Sequence, residues 1–326
     1  MKRENLTGIR HMLFLAFFGL ISVVGSAQSV SYTVTEDNPE AKNLFISLNV
    51  IDGTVYNPNT GLAFNIYANY FLGKTFQVDI DFKRAYTDDN ADAVFAPKGL
   101  KKYNHFRVGG EFNFSTRTRV RSTRVVLSSQ KGGNYTYTRY INVPANRKSI
   151  WALRGGLQTF YQNCQVDNDP FKTYGGNDIR YKDSKGDLQY IDDNNNFETV
   201  NYTMRSSGLY AGLDYKNLVN IRIKPEGYHD KGTTTRNNFY LDALLTPVVK
   251  YELKPNEKQG QYAGVDINIS ENERSVLGWR FGWQYDTGKW AGFSMKAEVG
   301  QQPGRPDDKW FLSAGIGLHI GGKIKL

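Results

Sequence analysis

The chain has 326 residues and a formal net charge of +9, from 41 Lys and Arg against 32 Asp and Glu. Its one cysteine, Cys164, excludes an internal disulfide and a thiolate metal cluster. The 21 tyrosines, 19 phenylalanines and 32 glycines sit in a chain of negative mean hydropathy, which suits strands that are apolar on one side only.

Residues 1–27 read as a cleaved export signal. Lys2, Arg3 and Arg10 precede an apolar run, Met12 to Gly25, and Gly25-Ser26-Ala27 places small residues where signal peptidase inspects. That run is shorter than the roughly 20 residues of a spanning helix, so an uncleaved anchor is the weaker alternative. Removing Lys2, Arg3, Arg10 and Glu4 leaves 41 − 3 = 38 basic and 32 − 1 = 31 acidic residues, net +7. Such a charge on an exported chain suits anionic lipid, polysaccharide or an acidic protein. Export and the lack of any recognition motif argue against nucleic acid. Residues 28–42 are expected to be an N-terminal periplasmic segment and 43–326 a β-barrel domain.

From residue 43 onward the dominant signal is alternation with period two. Phe76, Val78, Ile80 and Phe82 alternate with Gln77, Asp79, Asp81 and Lys83, so one strand face is apolar and the other polar. The template matches about twelve segments: 43–52, 62–72, 75–86, 104–116, 149–161, 205–215, 218–225, 237–252, 261–270, 277–286, 290–300 and 310–326. Most are near the roughly 9–11 residues with which a tilted strand crosses the hydrocarbon layer. The expected fold is all-β: an antiparallel transmembrane barrel of about 12 strands, within a range of 10 to 14.

Connection lengths support this. With 43–52 running outward, Gly73-Lys74, Lys216-Asn217 and 287–289 read as tight turns on the side of the chain termini. Residues 53–61, 87–103, 162–204, 226–236 and 301–309 read as loops on the other side. Two places break the rule: 253–260, where a turn is expected, is slightly longer than 271–276, where a loop is expected, and residues 117–148 are long where a turn is expected. Residues 117–148 read as a hairpin turning at Lys131-Gly132-Gly133-Asn134, and they carry Arg117, Arg119, Arg121, Arg124, Lys131 and Arg139. The cost of charge in lipid favours an extension of the flanking strands beyond the membrane over two further barrel strands, and makes those six cations candidate contacts for a periplasmic protein.

A soluble barrel or sandwich alternates as well, and a secreted β-sandwich is the competing architecture. Against it stand Trp279, Trp283 and Trp310 near strand ends, where membrane-interface girdles lie. If the apolar faces meet lipid, the opposite faces line a lumen. Asp79, Asp81, Lys83, Arg107, Glu111, Arg154, Asp214, Arg222, Asp242, Lys250, Asp266, Arg280, Lys296 and Glu298 are the charges expected there. In so narrow a barrel, mixed signs either pair and plug the lumen, the favoured reading, or line a narrow wet path.

The Ala27-Gln28 junction, the repeated amphipathic strands and the final segment WFLSAGIGLHIGGKIKL resemble outer-membrane β-barrel proteins of Bacteroidota. The terminal strand departs from their usual pattern by ending in Leu326 rather than an aromatic residue. Within the chain, GLYAGLDYKNLVN at 208–220 resembles a segment of the PorP/SprF barrels linked to type IX secretion and gliding, which implies a secretion-system protein as partner.

Enzyme chemistry has few candidates. His105 opens a strand, His229-Asp230 lies in a loop, and His319 is six residues from Ser313, about 20 Å along a strand and too far for a hydrogen bond. An outer-membrane hydrolase using His105 or His229 is the alternative to a non-enzymatic scaffold, partner-binding component or narrow channel. Asp167, Asp169, Asp178, Asp183, Asp187, Asp192 and Asp193 crowd one long loop; they lack the spacing of a calcium loop and read as a solvated surface. No cofactor or metal is expected.

Overall fold

The computed structural model describes residues 30–56, 59–86, 103–167, 180–182, 188–190, 199–253, 266–267, 275–304 and 310–324. These form fourteen strands: β1 (Tyr32–Asp37), β2 (Leu44–Tyr56), β3 (Asn59–Leu72), β4 (Phe76–Ala85), β5 (Tyr103–Gly132), β6 (Tyr135–Asp167), β7 (Arg180–Lys182), β8 (Leu188–Tyr190), β9 (Thr199–Pro225), β10 (Lys231–Leu253), β11 (Asp266–Ile267), β12 (Leu277–Thr287), β13 (Ala291–Gln301) and β14 (Trp310–Gly322). Ten of them, β2–β6, β9, β10 and β12–β14, pair with their neighbours in chain order, all antiparallel. The ring closes where β14 pairs with β2, from Phe311–Tyr56 to Gly322–Leu44. The fold is a closed antiparallel barrel with an extra strand, β1, on the far end of β9.

The alternation in sequence becomes an inversion of the usual inside and outside. Phe76, Val78 and Ile80 of β4 are exposed, whereas Gln77, Asp79, Asp81 and Lys83 are buried. Large apolar side chains stand exposed on the outer wall of every barrel strand, among them Leu48, Ile66, Phe112, Leu153, Leu213, Leu241, Phe281, Phe293 and Leu318. Aromatic pairs mark both ends of this band: Trp279 and Trp310 meet edge to face at one, and Trp151 and Tyr215 pack 4.8 Å apart at the other.

The expected loop at 53–61 is mostly strand, with β2 running to Tyr56 and β3 starting at Asn59, and the strand count differs from the sequence reading in two places. Segments 205–215 and 218–225 are one strand, β9. Lys216-Asn217 is no turn, because Lys216 points into the lumen and finds a carboxylate there. The tight connection is instead residues 226–230, on the terminus side. Of segment 261–270, only Asp266–Ile267 is described, and it pairs with Tyr251–Glu252 at the end of β10 without joining the ring. The two changes take twelve strands to ten and keep the number even, as both termini on one side require.

Two hairpins outgrow the barrel on that side. β5 and β6 pair continuously from Tyr103–Gln162 down to Gly132–Tyr135, while β6 leaves β9 at the Arg147–Val219 pair. Beyond it, β1 takes the vacated edge of β9, pairing Tyr32–Pro225 through Asp37–Ile221. The two extensions close on each other around Val125, Leu127, Ile141, Val143, Ala145, Val219, Ile221 and Ile223, with Val30 and Tyr228 packed against that core. The chain thus builds a small second core outside the barrel.

Candidate functional site: a charge-filled lumen and a basic terminal platform

Among the described residues, seven cations (Lys83, Arg107, Arg154, Lys216, Arg236, Arg280, Lys296) and eight carboxylates (Asp52, Asp79, Asp81, Glu111, Asp214, Asp242, Asp286, Glu298) are buried in the lumen. Every one of the cations has an ionic partner. Arg107 on β5 bridges Asp81 on β4 and, at 2.8 Å, Glu298 on β13. In a ring of ten, β5 and β13 lie five strands apart, so this bond spans the full diameter. Arg236 on β10 reaches Asn69 on β3, also five strands away, at 3.3 Å, and holds Asp286 at 2.7 Å. Lys296 pairs with Asp81, and Lys83 binds Asp52 at 2.7 Å and Ser313 at 2.6 Å. On the other side Arg154 sits among Asp79, Asp214 and Asp242, Lys216 pairs with Glu111, and Arg280 with Asp242.

Tyrosines fill the space that guanidinium groups leave. The Tyr240 hydroxyl donates to Glu298 at 2.5 Å, and its ring carries the Arg154 guanidinium 4.4 Å from its centroid. The ring lies where a side chain on Gly282 would be: a Cβ there would come within 2.1 Å of it. Tyr210 donates to Asp79 at 3.1 Å and lies over Gly109 in the same way. Glycine on one wall thus makes room for an aromatic ring from another.

Toward the terminus side the lumen ends in an apolar cluster of Phe45, Phe71, Ile150 and Leu218, with Arg236 stacked 4.6 Å over Phe45. At the opposite end Tyr103, Phe160, Met204, Leu244 and Phe311 are buried. Polar side chains are buried beside these apolar ones, Gln77, Asn113 and Ser294 toward the termini and Gln158, Gln162 and Thr246 at the other end.

The three histidines among the described residues differ in their surroundings. His105 is buried, with its ring 5.6 Å from Phe160 in an edge-on approach. His319 stacks on Phe45, and its Nδ1 lies 3.9 Å from Asp286, whose carboxylate accepts instead from Ser47 and Ser294 at 2.8 Å each. His229 is exposed in the β9–β10 turn.

Outside the barrel, the six cations singled out on residues 117–148 are all exposed, but they divide into two groups. Arg124, Lys131 and Arg139 lie toward the hairpin tip, Arg124 against the Tyr140 ring at 4.1 Å. Arg117, Arg119 and Arg121 line a groove of about 500 Å³ next to the barrel wall, together with Arg147, Trp151 and Tyr215. The N-terminal segment is tied to the same region: Asp37 accepts from the Asn146 backbone and side chain at 2.8 Å each, and Glu40 pairs with Lys148. The Lys148 ammonium holds the Glu40 carboxyl below its ordinary value of 4.5.

Of the fourteen lumen charges expected from sequence, eleven point inward: Asp79, Asp81, Lys83, Arg107, Glu111, Arg154, Asp214, Asp242, Arg280, Lys296 and Glu298. Arg222 does not; it lies past the barrel, opposite Glu36 of β1. Lys250 is exposed, because a register shift between Leu245 and Val248 turns the end of β10 over. The Asp266 side chain lies outside the described residues, as do the acidic side chains expected in the 162–204 loop. Four lumen charges were missed: Asp52, Lys216, Arg236 and Asp286. Continuing the inward period from Tyr240 back to Arg236, and from Arg280 on to Asp286, reaches two of them. Asp52 follows a bulge between Asn49 and Asp52 that breaks the period.

No family model and no curated protein matches the chain. Two solved structures align with 90% of it and with 100% of their own chains. One is an anion-selective porin from Comamonas acidovorans, 8% identical with a TM-score of 0.17. The other is OmpT, an outer membrane protein of Vibrio cholerae, in-vitro folded and in trimer form, 9% identical with a TM-score of 0.16. At such values the likeness says nothing of selectivity, assembly or activity.

Proposed function

We propose that this chain is an exported, non-enzymatic outer-membrane barrel whose lumen is sealed and whose terminal platform binds a periplasmic partner. The carrying observation is the inversion of polarity: an apolar outer wall on all ten strands around a lumen of paired charges. A soluble barrel puts its apolar face inward; in lipid a sheet is stable only when it closes and pairs every backbone group. Short turns at 73–75, 133–134, 226–230 and 288–290 lie on the side of the described termini, which by the rule of bacterial barrels is the periplasm. The platform lies on that side.

The sealed-scaffold reading is supported by the Arg107–Glu298 bond across the diameter, which a conducting pore would have to break. A non-catalytic role is supported by the histidines. Two are packed among aromatic rings inside the lumen, and the third is on a turn, away from the Asp286 hydroxyl cluster. For the partner, the resemblance of 208–220 to PorP/SprF barrels points to a component of an envelope secretion machine. That stretch lies almost wholly within the barrel-wall part of β9, so its likeness concerns the wall and the platform must supply the contact.

Membrane fractionation with a heat-modifiability gel tests the core of this reading. A protein in the outer-membrane fraction whose mobility changes on boiling upholds the closed membrane barrel. A soluble protein without a shift refutes it and makes the apolar faces the core of a secreted sandwich. Alanine at His105, His229 and His319 is expected to leave the cellular phenotype intact; loss of phenotype with a normal gel shift favours the hydrolase.

A further inference from the structure

The lumen and the platform treat their cations differently. Each lumen cation has a carboxylate, yet Arg117, Arg119, Arg121 and Arg147 have no ion-pair partner among the described residues. Arg119 and Arg147 are moreover directly opposite each other in the β5–β6 register, where like charges repel. The Arg147 Nε–H is buried without a hydrogen-bond partner. A bulge produces this arrangement. Asn113 faces Ala152 and Ser115 faces Trp151, so Phe114 is an extra residue, and the odd-numbered arginines after it swing to the face that the barrel turns outward.

That face continues the lipid-facing wall. Trp151 and Tyr215, the aromatic pair at the barrel's edge, line the same groove as the four arginines, and Leu153 and Leu213 stand exposed one step further along the same two strands. Tyrosine and tryptophan settle at headgroup level, which puts the arginines at the phosphates of the periplasmic leaflet. Guanidinium groups bind phosphate oxygens in bidentate fashion.

We infer that the groove between Trp151 and Arg121 holds the phosphate of an anionic phospholipid in the periplasmic leaflet, with its acyl chains lying on the Leu153–Leu213 wall. An acidic protein would also meet the charge, but the groove adjoins the Trp151–Tyr215 pair at the edge of the lipid-facing wall, where headgroup phosphates lie. The inference rests on the membrane reading, and the test separates the two.

The full chain is reconstituted in vesicles of phosphatidylethanolamine, with or without a minority of phosphatidylglycerol. It is then extracted in mild detergent, and retained lipid is read by native mass spectrometry. Wild type is expected to retain phosphatidylglycerol about tenfold over phosphatidylethanolamine, as charge-assisted bonds to phosphate imply. R117Q/R119Q/R147Q is expected to lose that preference, R119Q alone to weaken it, and R124Q/K131Q/R139Q, which removes equal charge nearer the tip, to keep it. Unchanged retention in the first variant overturns the proposal, as does equal loss in the tip variant. Displacement of the lipid by glycerol phosphate alone overturns the acyl-chain part and leaves a free-anion site. Binding of acidic protein by wild type in place of lipid overturns the lipid assignment. A heat-modifiable barrel without lipid preference refutes the groove alone, whereas failure to insert refutes the membrane reading and the groove with it.

Discussion

Arg107 shows at the scale of one residue how this lumen is held. Its guanidinium is buried and held by two carboxylates from different walls. Removing it leaves Asp81 and Glu298 with Lys296 as their shared counter-charge, a partial break of a buried network whose complete loss costs about 3–5 kcal/mol. R107M is therefore expected to lower the urea midpoint of the folded-to-unfolded gel shift markedly. R107K should recover only part of the loss, because an ammonium cannot fork between walls as a guanidinium does. Gly282 carries a different cost. Valine there drives into the Tyr240 ring, combining an overpacking penalty of about 1–3 kcal/mol with loss of the bond to Glu298. Y240F loses only the hydroxyl, so the same unfolding assay should rank it above G282V.

At the scale of elements, the barrel and its platform are expected to come apart separately. Ile221 is fully buried in the second core, far along β9 from the lumen charges. I221D should loosen the extensions so that trypsin cuts at Arg121, Arg124 or Arg139, while the barrel still shifts on boiling. β1 adds a pH dependence. Glu40 is lowered by its bond to Lys148. Glu36 is lowered too: burial pushes it up, but Asn220 and Lys289 outweigh that. Carboxylates with depressed folded values stabilise the docked segment fully above the unfolded value of 4.5 and lose that contribution as pH falls through the folded values. Exchange-corrected protection of the β1 amides should therefore fall below about pH 4.5 in wild type, and E36Q/E40Q should flatten the dependence. These elements also show what the sequence could reveal. Period two made the barrel wall legible in β4, β5 and β12–β14, because each residue there chooses between outer wall and lumen. It failed where a side chain carries its polarity for another reason. Lys216-Asn217 looked like a turn although Lys216 belongs to Glu111, and Arg236 looked like loop although it belongs to Asp286. Bulges at Asn113/Ser115, Asn49/Asp52 and Leu245/Val248 reverse the face without any mark in composition. The second core was hidden for the same reason: Val125, Val143 and Ile221 alternate like barrel residues, and only tertiary folding sets them against one another.

At the scale of the molecule, the described residues form a wall of ten strands with ion pairs reaching across it. Conduction needs a continuous wet path, and here Arg107 meets the opposite wall in the middle while Phe45, Phe71, Ile150 and Leu218 cluster at the terminus end. Reconstituted wild-type protein is accordingly expected to show no steady single-channel steps in planar bilayers. Breaking one layer should not suffice, since the layers block in series. R107A leaves the apolar cluster in place, and F45A/F71A leaves the charged layer. Combining R107A with F45A/F71A removes both, and discrete openings should appear only then, provided the variant still shifts on boiling. Steady openings in wild type would instead mean that the charge network yields to water and field. The chain would then be a narrow channel, and its near balance of seven cations and eight carboxylates would predict weak ion selectivity. Series blockade is the sharper test of a scaffold, because a channel with a gate opens when its gate alone is removed, whereas a plug built from two chemically different layers does not.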